Sequence, residues 1–325
     1  MRRREFVARI GTVALAWPLV ARAQRVPVIG FLNSGSPNER AFLVEAFRRG
    51  LKEGGFIDGK DVFIEYRWAE GRRDRLPQLA RELVERNVAV LVCTGGIAPG
   101  LAAKSVTSTI PIVFTGAEDP VKLGLVASYS RPGGNATGVT NIAGSLHDKR
   151  LQILKDLVPA AARMAYLSNP TTPDAKLSVE QVGRAGETTG IRIDVISAAT
   201  EAAITQAFTR IRQLQANAVL VAADPLFLSR REQIVKLAAE HGIPASYPFR
   251  EFTMIGGLLS YGPDIVDGQR QAGVYAARIL KGARPADMPV VQATKIELVV
   301  NLKTAKQLGI AISRDFLARV DEVIQ

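Results

Sequence analysis

The sequence predicts an α/β protein of two doubly wound parallel-sheet lobes, and three observations predict it. The chain of 325 residues exceeds the roughly 100 to 200 residues usual for one domain. Short continuous apolar runs, such as 88–92 and 219–222, have the character of strands covered on both faces, as strands of parallel sheets are. These runs alternate with longer amphipathic stretches along the whole chain, which is the order of βα units.

In the first block, 26–32 reads as a strand and 38–54 as a helix, 61–68 as a strand and 73–86 as a helix. A strand at 88–93, a helix at 97–106 and a strand at 110–114 complete it. The turn-rich stretch 130–135, with Arg131-Pro132-Gly133-Gly134, approaches a boundary. The second block begins near Gly144: helix 146–157, strand 163–167, helix 174–189, strand 192–196, helix 201–214, strand 218–222, helix 226–241 and a short strand 243–246. An apolar stretch at 256–260, a helix at 265–281, a strand at 296–300 and a helical stretch from Leu302 finish the chain.

Residues 1–23 read as an address. Arg2-Arg3-Arg4, the uncharged stretch 10–20 and Ala21-Arg22-Ala23 have the basic, apolar and small-residue order of a signal peptide cleaved after Ala23. Arg3-Arg4-Glu5-Phe6-Val7 has a twin-arginine character. Export places the mature chain in the periplasm. Losing the five Arg and one Glu of this segment lowers the formal net charge from +11 to +7. The densest basic run, Arg72-Arg73-Asp74-Arg75, includes an acid and lacks interleaved aromatics, so it reads as a solvated helix face and not as a nucleic-acid surface.

With 47% hydrophobic and 22% charged residues the composition is that of a globular chain, not a disordered or collagen-like one. A single cysteine, Cys93, permits no internal disulfide, and two histidines, His147 and His241, are too few for a histidine-built metal centre. No Gly-x-Ser-x-Gly occurs, no two glycines are separated by one residue, and Gly59-Lys60 is followed by Asp61, so nucleophile elbow, dinucleotide fingerprint and phosphate loop are missing from the sequence. No catalytic residue, metal or cofactor is expected.

In open α/β sheets ligands bind beyond the carboxyl ends of the strands. That rule selects Asn33 and Ser34, then Thr94-Gly95-Gly96, then Thr115 and Gly116 with Ala117-Glu118-Asp119, then Asn169, Asp224 and Tyr261. Helix caps and turns want the same residue types, but their recurrence at strand ends in both blocks points to a shared cleft. Ser34, Thr94, Thr115 and backbone N–H groups at helix starts suit a carboxylate. Asp224, Glu118 or Asp119 could pair with an ammonium. Tyr247 and Tyr261 could form an apolar wall with a hydrogen-bonding tip.

Several segments together carry a family resemblance: Ile29-Gly30-Phe31-Leu32; Ile110-Pro111-Ile112-Val113-Phe114 leading to Asp119-Pro120; Gly133-Gly134-Asn135-Ala136-Thr137-Gly138-Val139-Thr140; Arg278-Ile279-Leu280-Lys281-Gly282; and Glu297-Leu298-Val299-Val300-Asn301-Leu302-Lys303-Thr304-Ala305. The chain resembles type 1 periplasmic binding proteins, and within them the ABC transporter substrate-binding family that includes tryptophan-binding members. The resemblance implies lobes joined by three crossing segments, near 141–144, 247–252 and 289–293. It divides the chain into an N-terminal lobe of 25–141 plus 249–290 and a C-terminal lobe of 142–248 plus 291–325, and puts Asn141 beside the ligand. It implies a monomeric receptor that captures a small organic ligand, an amino acid above all, and delivers it to the membrane permease of an ABC importer. A sensing subunit of a signalling receptor is the alternative, and an α/β enzyme a more distant one.

Intact-mass analysis of exported protein is expected to show an N-terminus at Gln24; retained Met1 on periplasmic material would remove the cleavage reading.

Overall fold

The computed structural model describes residues 26–141, 146–292 and 295–325; the expected signal segment, Gly144 and the last residue of the expected third crossing lie outside them. The first sheet collects β1 (Val28–Asn33), β2 (Phe63–Trp68), β3 (Val90–Thr94), β4 (Ile112–Gly116), β5 (Ala136–Thr140) and β11 (Val291–Gln292) in the order β11-β5-β4-β3-β1-β2. Every pair in it is parallel. Around it lie α1 (Pro37–Glu53), α2 (Leu76–Glu85), α3 (Ala98–Val106) and α10 (Ile265–Leu280).

The second sheet holds β6 (Arg163–Ser168), β7 (Arg192–Ser197), β8 (Ala218–Val221), β9 (Ala245–Tyr247), β10 (Leu259–Pro263), β12 (Ile296–Asn301) and β13 (Glu322–Ile324), in the order β13-β12-β10-β9-β8-β6-β7. It is parallel except where β12 runs against β10, a departure from the wholly parallel sheet expected. Its helices are α4 (His147–Leu157), α5 (Ala175–Thr189), α6 (Glu201–Gln213), α7 (Pro225–Ser229), α8 (Arg231–Glu240), α9 (Arg250–Thr253), α11 (Leu302–Gln307) and α12 (Arg314–Leu317). Each sheet has an apolar cluster on both faces. Burial on both sides is why strands such as β3 and β8 read as uninterrupted aliphatic runs. Among the described residues no helix is long and apolar enough to cross a membrane.

Three local readings change. The stretch expected as one helix over 226–241 is two, α7 and α8, parted at Arg230, whose φ of −100° and ψ of 23° leave the helical region. Strand β5 was hidden behind turn residues because its sequence, Ala-Thr-Gly-Val-Thr, has little apolar bulk. Its middle residue must be small, since a Cβ on Gly138 would lie 2.1 Å from the Phe114 carbonyl oxygen. The second crossing also moves. Both β9 and β10 hydrogen-bond within the second sheet, and Arg250 of α9 pairs with Glu297 of β12 and Glu322 of β13. Residues 249–263 therefore belong with the second sheet and not, as expected, with the first, and the chain returns to the first sheet at Asp264, which caps α10. At the other end β11 still pairs with β5 in the first sheet, while β12 pairs in the second.

Helices α1 and α10 cross at glycines. A Cβ on Gly50 would stand 1.8 Å from the Arg270 carbonyl oxygen, and one on Gly273 2.2 Å from that of Phe47. Since no flexible side chain can give way there, Gly50→Ala or Gly273→Ala is expected to lower stability by about 1–3 kcal/mol in urea unfolding. Gly183→Ala, in α5 with open space around it, should be neutral or stabilising by up to about 1 kcal/mol. Equal effects at the three positions would contradict this packing.

Candidate functional site

The carboxyl ends of the two sheets face each other, and the loops that leave them meet. In the first lobe Asn33 Nδ2 donates to Thr94 Oγ1 at 2.6 Å, Asn33 Oδ1 accepts from the Gly35 N–H at 2.7 Å, and Ser34 Oγ donates to the Gly95 carbonyl. These polar residues thus tie the ends of β1 and β3 together; Asn33 and Thr94 are buried in doing so, and Ser34 lines a separate pocket with Arg73 and Asn169. Gly95 and Gly96, at φ of 81° and 93°, turn the chain back through a conformation that side-chain-bearing residues disfavour. Their backbone, with Thr115, Gly116, Asn141 and Asp224, lines an inner chamber of about 60 Å³ between the lobes.

Asp224 ends β8 and starts α7. Its Oδ1 accepts from the Leu226 N–H at 2.8 Å, the N-cap bond, and from Asn169 Nδ2 at 3.1 Å. Its Oδ2 accepts from Thr172 Oγ1 at 2.6 Å and from Arg73 Nη2 at 2.7 Å. Arg73 comes from the other lobe. An ionised carboxylate offers about four lone-pair positions, and here all are occupied.

The remaining sequence-selected residues are more scattered. Asn169 lines a small cavity beside the chamber, and Asp119 lines an outer vestibule of about 520 Å³, where its Oδ1 caps the N–H groups of Val121 and Lys122. Tyr247 is 1% exposed, stacked on Phe252 at 4.8 Å between ring centres, and Tyr261 packs against the core of the second lobe. Neither lines the cleft, because β9 and β10 are interior strands of the second sheet.

Residues that sequence reasoning passed over supply the charge. Arg40, on α1, is 2% exposed and its Nη2 crosses to the Pro225 carbonyl oxygen at 2.6 Å and to Ser229 Oγ at 3.2 Å. Burial lowers its pKa to about 10, which leaves it charged at neutral pH. Gln269 of α10 receives the Thr115 hydroxyl on its Oε1 at 3.5 Å. Both had a signal. Arg40 shares the buried stripe of Leu43, Val44, Phe47 and Leu51, and Gln269 that of Ile265, Ala272 and Ala276, and a polar group inside an apolar stripe is rarely placed there for packing. Arg73, expected on a solvated face, turns inward while Arg72 and Asp74 stay exposed.

A family model described as "ABC transporter substrate binding protein" matches residues 25–324. The chain belongs to that family. Proteins of this family are extracellular or periplasmic and serve the permease of an ABC transporter with a small-molecule ligand. This substrate-binding protein is 26% identical over 266 residues, 81% of its own length and 75% of the other's, to a tyrosine-binding protein of Clostridioides difficile (strain R20291). A conserved domain protein of Vibrio cholerae superposes with a TM-score of 0.85 at 26% identity, covering 92% of this chain and 100% of that one. An ABC domain from Streptococcus pneumonia, solved with L-Trp, superposes with a TM-score of 0.82 at 25% identity, covering 92% and 99%.

Glu118, on the chamber wall, has no ion-pair partner among the described residues. Its Oε2 accepts from the N–H groups of Ala117 at 2.9 Å and Ile97 at 3.2 Å. Burial, with Asp174 nearby, pushes its pKa up to about 7. A carboxyl whose folded pKa lies above its unfolded value takes up a proton on folding. Its contribution is fully favourable below the unfolded pKa of about 4.3 and is lost as pH rises through the folded pKa. Glu118→Gln is therefore expected to gain roughly 2–3 kcal/mol of stability relative to the parent between pH 5 and pH 8. Parallel pH–stability curves from urea unfolding would contradict this environment for Glu118.

Proposed function

We propose that the mature chain, from Gln24, is a periplasmic receptor that closes on one α-amino acid without turning it over and presents it as a monomer to the permease of an ABC importer. The observation that carries the reading is the set of buried polar atoms in the inner chamber with no hydrogen-bond partner among the described residues: Arg40 Nε and Gln269 Nε2, both donors, and Asn141 Oδ1, an acceptor. Leaving such groups unpaired is costly, and a zwitterion supplies what each lacks. The carboxylate accepts from Arg40, Gln269 and the N–H groups of the Gly95-Gly96 turn; the ammonium donates to Asn141 Oδ1 and Glu118. At roughly 10–15 Å³ per water-sized group, 60 Å³ suits the head of an amino acid and little more. The names of the relatives, one for tyrosine and one solved with L-Trp, support the same class. Asp224 serves this reading indirectly, by holding Arg73 and the start of α7, in place of the direct ammonium contact expected of it.

Calorimetric titration with the common L-amino acids is expected to find saturable binding without product. Arg40→Met, which keeps the length but not the charge, should weaken the best ligand at least tenfold. Binding of a sugar and of no amino acid, or steady conversion of the ligand, would displace this function.

A further inference from the structure

The inner chamber has room for an amino acid's head, so the side chain must leave it past Glu118, and what waits there is polar. Asp174 stands at the N-cap position of α5, yet its side chain caps no backbone N–H; it accepts only from Ser178 Oγ, at 3.4 Å. It lines both the outer vestibule and a cavity of about 20 Å³ that borders the chamber at Ala117, Glu118 and Ala223. The same cavity is lined by His147, which is 2% exposed and has neither ring nitrogen hydrogen-bonded among the described residues. Its ring stands edge-on to Tyr166 at 5.5 Å. Burial and the neighbouring Arg150 lower its pKa to about 3, so the imidazole is neutral, with one acceptor nitrogen and one N–H donor both without a partner among the described residues.

A carboxylate with lone pairs to spare and a neutral imidazole with an unpartnered acceptor nitrogen and N–H line one small cavity, and the carboxylate can only accept. A hydrocarbon tip would desolvate the Asp174 carboxylate and leave the His147 nitrogens unpaired, which a site built for hydrogen bonding penalises heavily. A carboxylate tip would meet Asp174 and Glu118 at close range. Resting on the reading of the site as an amino-acid receptor, we infer that its ligand carries a side chain ending in an O–H or N–H donor, and that Asp174 and His147 receive that donor. The body of the side chain lies along the vestibule wall at Leu177 and Tyr129.

Matched ligands differing by the donor alone test this: L-tyrosine against L-phenylalanine and L-lysine against L-norleucine, titrated calorimetrically into the mature protein, with L-glutamate as the anionic probe. The donor-bearing member of at least one pair is expected to bind ten times tighter or more, with L-glutamate weaker than either. Asp174→Ala, which removes no helix cap, and His147→Phe should each cut that ratio at least threefold, and His147→Gln, which can still accept, should restore part of it. If one variant fails to fold, the other decides. Binding of both hydrocarbon ligands within twofold of their partners, or a ratio unchanged in the folded variants, overturns the inference while leaving the receptor function standing. Failure of every amino acid to bind overturns both.

Discussion

A carboxylate that is 3% exposed and bonded four ways fixes the relation between the lobes. Asp224 could cap α7 and hold Asn169 and Thr172 within its own lobe, but its charge would then lie buried without a counter-ion, a costly state. The guanidinium that neutralises it, Arg73, belongs to the other lobe. Satisfying Asp224 therefore requires the lobes to meet, and the chamber exists only where they do. Around this pair, Arg40 reaches the same α7 from α1, and Arg230 reaches Glu39 in the opposite direction, so three guanidiniums span the gap at one short helix.

The cleft sorts its charges by neighbour. Arg40 spends one nitrogen on the Pro225 carbonyl and keeps another free, so it remains a cation with capacity left for an anion. Glu118 accepts from two backbone N–H groups and has no ion-pair partner among the described residues, and Asp174 beside it raises its proton affinity further. Among the described residues, a cation with an unpaired N–H and an acid without an ion-pair partner thus line one small chamber; in the proposed function these are the ends that a zwitterion would pair, relieving a desolvation cost already incurred by the fold. The lobes meeting at Asp224 thus create both the space and its polarity.

Much of this was legible in the sequence. Periodicity located most helices and the long strands, because the 3.6-residue and continuous apolar patterns are local consequences of which face is covered. Strand-end reasoning selected Gly95, Gly96, Thr115, Gly116 and Asp224, and the family resemblance Asn141, all on the chamber wall. It misplaced Tyr247 and Tyr261, since nothing local distinguishes an aromatic at a strand end that faces a helix from one that faces a cleft. It passed over Arg40 and Gln269, whose signal, a polar side chain in an apolar stripe, was present but weighed less than strand ends.

What the sequence by itself determined is the alternation of elements, the two lobes and the polar strand ends that line the space between them, because these follow from short-range patterns of bulk, polarity and turn residues. What only the tertiary structure decided is which charge meets which. Arg73 and Asp224 lie 151 residues apart, and whether that arginine is a solvated surface charge or the counter-ion of a buried acid depends on how two separately formed sheets approach. The same holds for the second crossing, moved to Asp264 because β10 finds its partners in β9 and β12. Pairing of buried charges and of strands is set by distance in space, and no window of sequence contains both partners.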